Sequence, residues 1–264
     1  MTRPLVLVTN DDGIESFFLE VLVHALATRF DVRVVAPLRE QSWTGRSFTR
    51  RGPVAVARFD GLGVPAWSVD GTPSDCANIG LDPELVPGGR RPEAVVSGIN
   101  LGFNVTLPLV LSSGTVAAAT EGALAGLPAL AFSQRIPADR FEAVREAGGR
   151  DAAMEPSIRA SAKRAVELTE AVLDRGRPKQ PIVHNINFPA GVTPETPVEA
   201  TRLGIVGLGH VFSPDEKGVH RFGFPRGLTR VELPQDSDRM CIRRGHISHT
   251  VLDYAMLGAR LSTD

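Results

Sequence analysis

Short, nearly continuous runs of apolar and β-branched residues recur along the first two-thirds of the chain. Runs of this length and composition are typical of strands buried on both faces of a parallel sheet. We predict such strands at residues 5–9, 31–37, 92–97, 127–133 and 181–188. Two shorter β-like runs, at residues 54–59 and 66–69, indicate a hairpin or a sheet edge.

Helical spacing of apolar residues fills most of the gaps between these runs. We predict helices over residues 16–28, 72–81, 113–126 and 157–175, and a polar connecting segment over residues 134–156. Strands that alternate with helices in this way form βαβ units, which build a doubly wound α/β sheet with helices on both faces. The fold class predicted is therefore α/β with a mostly parallel sheet.

The pattern changes from about residue 189, where Gly and Pro become frequent. Short β-like pieces follow, then a helical piece and a last strand, at residues 197–206, 210–212, 220–224, 236–244 and 246–251. We interpret this region as a β-hairpin extension or arm, of a kind often used for association. The chain is accordingly divided into a core, residues 1–190, and a C-terminal extension, residues 191–264.

Bulk composition narrows the classes of protein. With 264 residues, 42% of them hydrophobic and 22% charged, the chain can bury a sizeable core. The net charge of −1 gives no global field for a nucleic-acid polymer, and no apolar run approaches the length that spans a membrane. Cys76 and Cys241 show no disulfide pattern, which favours a reducing cytoplasm.

The first predicted strand ends in Asn10-Asp11-Asp12-Gly13, which places two adjacent carboxylates at its carboxyl end. Open α/β sheets bind ligands at that end of their strands, and two carboxylates held so closely repel each other unless a cation or a proton compensates. The same residues are also ordinary turn formers. This stretch alone leaves both interpretations open.

Three further polar loops fall at equivalent places, namely residues 41–46, residues 98–104 and the approach to Ser113. In a doubly wound sheet these loops converge on one crevice. They bring the Ser42 hydroxyl and the Asn100 amide to the two carboxylates, and such an all-oxygen set suits Mg²⁺ or Mn²⁺. Ser113 begins a helix, whose free N–H groups favour an anion such as phosphate. A hard divalent cation beside an anion site is the combination that metal-dependent enzymes use to hydrolyse phosphate esters.

The motifs at these loops resemble those of the SurE family of metal-dependent 5'/3'-nucleotidases, also described as survival-protein-type acid phosphatases. They run in family order: VTNDDGI at 8–14, VVAP and QS within 34–42, SFT at 47–49, GTPSDC at 71–76, VVSGIN with the following Gly and Asn at 95–104, SGTVAAA at 113–119, and NIN with Pro at 185–189. The resemblance implies a three-layer Rossmann-like core with a C-terminal arm exchanged in a homodimer or homotetramer.

The resemblance also implies one divalent cation per subunit, Mg²⁺ or Mn²⁺, held by the positions that match Asp11, Asp12, Ser42 and Asn100. Of these, Asp11, Asp12 and Asn100 are the predicted catalytic residues. Either aspartate could accept a proton while it also binds the cation.

Phosphate contacts are implied for Ser113, Gly114 and Thr115, with plain capping of the helix as the alternative. Asn104 is predicted either to contact the substrate or to stabilise its own loop. Trp43 is predicted either to stack on the substrate or to pack within its loop.

The sequence departs from the family pattern around the predicted ligands, at residues 15–18, at Trp43 and in the apolar segment 105–112. The function predicted is hydrolysis of nucleoside monophosphates by metal-assisted in-line attack of water. Two alternatives stay open here: a SurE-like phosphatase for another phosphorylated metabolite, and a catalytically silent homologue that binds metal or nucleotide.

Overall fold

A computed structural model describes residues 2–84, 89–223 and 232–258. Within these residues the strands are β1 (Leu5–Thr9), β2 (Asp31–Pro37), β3 (Val56–Arg58), β4 (Ala66–Val69), β5 (Ala94–Leu101), β6 (Ala129–Gln134), β7 (Ile182–Phe188), β8 (Val198–Thr201), β9 (Phe212–Pro214), β10 (His220–Phe222) and β11 (Ile247–Asp253). The helices are α1 (Phe17–Leu26), α2 (Pro73–Leu81), α3 (Leu107–Ser112), α4 (Gly114–Leu124), α5 (Phe141–Glu146), α6 (Glu155–Leu173) and α7 (Asp238–Arg243), and a 3₁₀-helix follows at Tyr254–Gly258.

Nine strands form one sheet in the order β3-β4-β2-β1-β5-β6-β7-β11-β8. Six adjacent strands are parallel to one another: β4, β2, β1, β5, β6 and β7. Strand β3 runs antiparallel to β4 at one edge. At the other side β11 runs antiparallel to β7 and parallel to β8. The predicted α/β class with a mostly parallel sheet is confirmed.

Helices cover both faces of the sheet, because residues of the central strands alternate between two apolar clusters. Val6 and Val8 of β1 pack with α1 and α6 on one face, and Leu7 packs with Val35 and Cys76 of α2 on the other. Helix α4 lies beside α2 on that second face. The result is the predicted three-layer arrangement, and it leaves the carboxyl ends of β1 and β5 side by side.

The structure corrects the predicted end of one strand and adds two helices that the pattern did not predict. Strand β5 continues to Leu101, because Asn100 and Leu101 pair with Ser133 and Gln134 of β6 after an irregularity in register that follows Ser97. The apolar segment 105–112 contains α3, whose Leu109 and Val110 are buried. The polar segment 134–156 contains α5, which the pattern missed because Val144 is its only buried residue.

The C-terminal pieces follow the predicted order with shifted bounds. Strand β8 covers only four residues of the predicted piece at 197–206, and β9 and β10 pair as an antiparallel two-stranded hairpin. We call residues 212–222 the arm. Residue 224, the last of the predicted piece at 220–224, lies outside the described residues. Strands β8 and β11 join the main sheet, so the part of the chain beyond residue 190 covers the outer edge of β7. The division of the chain at residue 190 stays a prediction.

Among the described helices, none combines the length and apolar character needed to cross a membrane.

Candidate active site

The crevice lies between β1 and β5, at the point in the sheet where the order of successive strands reverses direction. From β1 the chain continues outward to β2 on one side, and β5 joins β1 on the other. Adjacent loops diverge at such a point and leave room for a ligand at the carboxyl ends of the strands. Asp11 and Asp12 follow β1 after one residue, Asn10, and occupy this position.

Asp11 is buried beneath the N-terminus of α4. The hydroxyl of Thr115 donates a hydrogen bond of 2.6 Å to its Oδ1. Gly114 makes this approach possible, since a Cβ there would lie 2.8 Å from the Asp11 Cβ. Burial raises the pKa of Asp11 to about 6, although the hydroxyl and backbone N–H of Thr115 act in the opposite direction.

Asp12 is more accessible than Asp11 and is fixed from the other side of the crevice. The backbone N–H of Leu101, at the end of β5, donates a hydrogen bond of 2.8 Å to its Oδ2. Burial and the neighbouring Asp11 charge raise the pKa of Asp12 well above its usual value, and Glu40 adds to the same effect. Two like charges are thus held together at low solvent exposure, which a cation would relieve.

The residues present fit a hard divalent cation. Among the described residues, no Lys, Arg or His forms a salt bridge with Asp11 or Asp12. Asn100 uses its amide nitrogen to donate to the Gly102 carbonyl over 2.9 Å, which leaves its amide oxygen for a cation. The Ser42 hydroxyl donates to Glu40 over 2.8 Å, so its oxygen can still act as a ligand.

This donor set is mixed rather than a cluster of classical metal-binding side chains. Throughout residues 2–84, 89–223 and 232–258, no three His, Cys, Asp or Glu side chains gather to hold a metal. Two carboxylates, a hydroxyl and an amide are all oxygen donors, which suits Mg²⁺ or Mn²⁺ better than zinc.

Two cavities meet at this site. The larger, of about 450 Å³, is bounded by Asp11, Asn100, Asn104 and Ser113 at its polar end. Its remaining wall is largely apolar: Trp43, Leu101, Phe103, Leu109, Ile136 and Phe141. The smaller cavity, of about 250 Å³, has a charged lining that includes Asp12, Glu15, Arg39, Glu40 and Arg145. Ser42 lines both cavities.

The predicted phosphate contacts lie at the polar end of the larger cavity or next to it. Ser113 is the N-cap of α4, and its hydroxyl oxygen accepts from the Val116 N–H over 3.1 Å. The Thr115 hydroxyl donates its hydrogen bond to Asp11. The contacts therefore show capping by Ser113 and support of Asp11 by Thr115, and phosphate binding by Ser113, Gly114 and Thr115 stays a prediction.

Trp43 lies on the loop after β2 with a positive φ of 64°. It lines the larger cavity and also contacts Phe222 of the arm, edge to face, with 4.9 Å between ring centroids. Both interpretations of Trp43, loop packing and contact with a ligand, are thus compatible with its position.

Asn104 hydrogen-bonds several buried residues behind the crevice. Its side-chain nitrogen donates to Ser133 over 2.9 Å, and its backbone bonds to Asn185 and Asn187 of β7. The sequence prediction did not include these three partners. A signal was present, because Asn185 and Asn187 alternate with Ile186 in a buried strand, which puts two polar side chains on one buried face that must find partners there.

Comparisons with known proteins agree with this geometry. Residues 6–208 match the family model described as survival protein SurE. The 5'-nucleotidase SurE of Methanocella arvoryzae is 38% identical over 200 residues, which cover 75% of this chain and 71% of that protein. The 5'-nucleotidase SurE 1 of Thermus thermophilus is 36% identical over 255 residues, covering 93% of this chain and 90% of that protein.

A solved structure gives the same result at the level of the fold. The crystal structure of the SurE protein from Aquifex aeolicus superposes with a TM-score of 0.74 at 29% identity, over 95% of this chain and 93% of that one. The sequence motifs, the paired carboxylates at the end of β1 and these matches lead to one conclusion. The chain belongs to the SurE family.

Proposed function

We propose that this protein is a divalent-metal-dependent phosphomonoesterase that hydrolyses nucleoside monophosphates, a 5'-nucleotidase that also accepts 3'-monophosphates. The observation that carries the proposal is the Asp11–Asp12 pair beneath the N-terminus of α4, with Asp11 buried, Asp12 partly buried and neither in a salt bridge among the described residues. Relatives that bear the name 5'-nucleotidase SurE support the nucleotide as substrate.

Asp11, Asp12, Ser42 and Asn100 would hold the cation, and Mg²⁺ or Mn²⁺ fits their oxygen atoms. When bound, the cation supplies Lewis-acid polarisation of a phosphoryl oxygen and lowers the pKa of a water molecule. Asp11 and Asp12 supply the negative charge that retains it, and Asp12, the more accessible of the two, is the better placed to accept a proton from an attacking water. The proposed catalytic residues are Asp11, Asp12 and Asn100.

The polar end of the larger cavity would take the phosphate. Gly114, whose missing side chain leaves the start of α4 open toward Asp11, and the neighbouring Ser113 and Thr115 lie where the helix dipole favours an anion. Asn104 borders the same space. The leaving group would then extend along the apolar wall, where Trp43 offers a ring face.

The arm would serve association into a homodimer or homotetramer. Phe212 and Phe222 of the arm are about half exposed, at 56% and 47%, and exposed aromatic clusters are typical of protein contacts. Residues 191–264 would then act as a unit added to the catalytic core. A cytoplasmic location is proposed as well, because Cys76 and Cys241 are free and buried.

The function is tested by measuring phosphate release from nucleoside 5'- and 3'-monophosphates, sugar phosphates and p-nitrophenyl phosphate, each with Mg²⁺, Mn²⁺ or EDTA. We expect turnover of nucleotides that requires a metal and stops with EDTA. Activity that persists in EDTA would overturn the metal assignment. Turnover confined to a phosphate ester that is not a nucleotide would overturn the nucleotidase assignment, and no turnover of any ester would indicate a silent homologue.

A further inference from the structure

The buried asparagines of β7 make an unusual set of contacts with the crevice. The Oδ1 of Asn187 accepts from the backbone N–H of Asn104 over 2.7 Å. The side-chain nitrogens of Asn185 and Asn187 both donate to the Asn104 carbonyl, over 2.8 Å and 3.3 Å. Two side chains thus bind both polar groups of one backbone residue, as a neighbouring strand would.

The clamped residue continues the chain of hydrogen bonds toward the catalytic carboxylate. The side-chain nitrogen of Asn104 donates to the Ser133 hydroxyl over 2.9 Å and to the Thr115 hydroxyl over 3.4 Å. Because the Thr115 oxygen accepts from Asn104, its hydrogen is directed to Asp11, where the bond is 2.6 Å. The contacts between β7 and Asn104 run in both directions, and from the Asn104 side chain the donors run one way, through Thr115 to Asp11.

Burial makes this path rigid. Asn185, Asn187, Ser133 and Thr115 are fully buried, and Asn104 is 8% exposed. A buried amide that loses its partner is not compensated by water. The side chains consequently have few alternative positions, and the position of the Asp11 carboxylate follows from theirs.

We propose that Asn185 and Asn187 are positioning residues that act on Asp11 through Asn104 and Thr115. They touch neither substrate nor cation. Their effect is to hold the Asp11 oxygen in one orientation, in the way that partners of metal-binding side chains tune the affinity of a site. This inference rests on the proposed function, since it assigns Asp11 to the cation site.

The test compares Asn187→Leu with Thr169→Val. The control removes a buried hydrogen bond of 2.7 Å from the Thr169 hydroxyl to the Ala165 carbonyl, within α6, none of whose residues lines either cavity. We expect Asn187→Leu to weaken Mn²⁺ binding, measured calorimetrically without substrate, about 10-fold or more, and to lower kcat about 10- to 100-fold with little change in KM. Thr169→Val should leave all three quantities within twofold of the wild type.

The direction of the path is tested by a double-variant cycle with Thr115→Val. If Asn187 acts through Thr115, Asn187→Leu should weaken Mn²⁺ binding less than twofold further in the Thr115→Val background. Full additivity of the two losses would overturn the proposal. Thr115→Ser keeps the hydroxyl and should retain near-native Mn²⁺ binding.

Other outcomes are also decisive. If Asn187→Leu matches Thr169→Val in Mn²⁺ binding and kcat, the asparagines have only a structural role and the proposal is wrong. If Asn187→Leu does not fold, Asn185→Ala is measured instead, because it removes one of the two donors to Asn104 and leaves the Asn187 contacts in place. Wild-type protein that binds no Mn²⁺ and releases no phosphate would show that the proposed function itself has failed.

Discussion

The crevice and the C-terminal side of the sheet treat buried polar groups in opposite ways. In the crevice two neighbouring carboxylates are buried together, and both have raised pKa values. At the C-terminal side, a pair of rings on adjacent strands is self-contained: His184 of β7 hydrogen-bonds His249 of β11 over 2.8 Å. Burial also lowers the pKa values of both histidines, so they are neutral near pH 7.

This difference shows which part of the fold holds negative charge that no neighbouring residue compensates. The histidine pair needs no ligand, because a nitrogen of one ring donates a hydrogen bond that a nitrogen of the other ring accepts. The aspartate pair is complete only with a positive ligand. Function in this molecule is therefore expected where buried charges are not balanced by their neighbours.

The largest effect is expected from Asp11→Asn, which removes one of the two like charges but keeps the shape. Phosphate release should fall about 1000-fold, because the cation and the developing charge both lose a partner. The free energy of unfolding in EDTA should rise by about 1 kcal/mol, since repulsion between buried carboxylates is relieved. Enzyme assays and urea unfolding measure the two effects.

The exposed Asp70 provides the control, and Asp70→Asn should change neither quantity appreciably. A less stable Asp11→Asn protein in EDTA would contradict the view that the aspartate pair is electrostatically unfavourable without its cation.

The histidine pair predicts a pH dependence of stability. Burial lowers the pKa of His184 to about 4 from 6.5, so the unfolded chain binds a proton that the folded chain does not between these values. Stability is therefore complete above pH 6.5 and is lost as the pH falls toward 4, by about 2–3 kcal/mol.

Urea unfolding at pH 7.5, 5.5 and 4.5 measures this loss. His184→Asn should have a flatter profile than the wild type, whereas His24→Asn, at an exposed position of α1, should not. Equal slopes for the wild type and His184→Asn would mean that the buried histidine does not set the pH response.

A smaller effect is expected when a side chain is added at Gly114, at the start of α4. In Gly114→Ala the new Cβ would lie 2.8 Å from the Asp11 Cβ and 2.9 Å from the Pro73 Cγ, so α4 must move away from β1. We expect a loss of about 1–3 kcal/mol in the free energy of unfolding and a fall in kcat of about 10-fold. Gly191→Ala is the matched control, because nothing lies within 4 Å of its Cβ position.

The smallest effect on protomer stability is expected in the arm. Phe212→Ser changes a side chain that is 56% exposed and should alter the free energy of unfolding of the protomer by less than about 0.5 kcal/mol. Association, followed by sedimentation velocity, should weaken about 10-fold or more if the arm joins subunits. Leu124→Ser, at an equally exposed apolar position, should leave association unchanged.

Periodicity in the sequence was a good guide where an element is both regular and fully buried. Strands β1 and β2 have the predicted bounds, and β1 ends one residue before the paired carboxylates. The convergence of Asp11 and Asn100 on one crevice followed from the rule that ligands bind at the carboxyl ends of parallel strands.

Sequence pattern failed where distant parts of the chain decide the structure. Helix α3 is six residues long, too short to show a helical period, and it is joined to the C-terminal region by the Asp238 carboxylate, which accepts from the Thr106 N–H over 2.7 Å. The contact between Asn187 and Asn104 joins residues 83 positions apart. A single sequence contains the polar residues on each side but not their pairing.

The position of β11 has a consequence for the protein as it is being synthesised. This late strand lies next to β7 and closes its outer edge, so a growing chain on the ribosome carries β7 for some time with an open row of N–H and C=O groups, which is able to pair with another chain. The asparagines that hold the crevice belong to that same strand. The acidic residues of the crevice are thus translated well over 200 residues before the strand that seals their support.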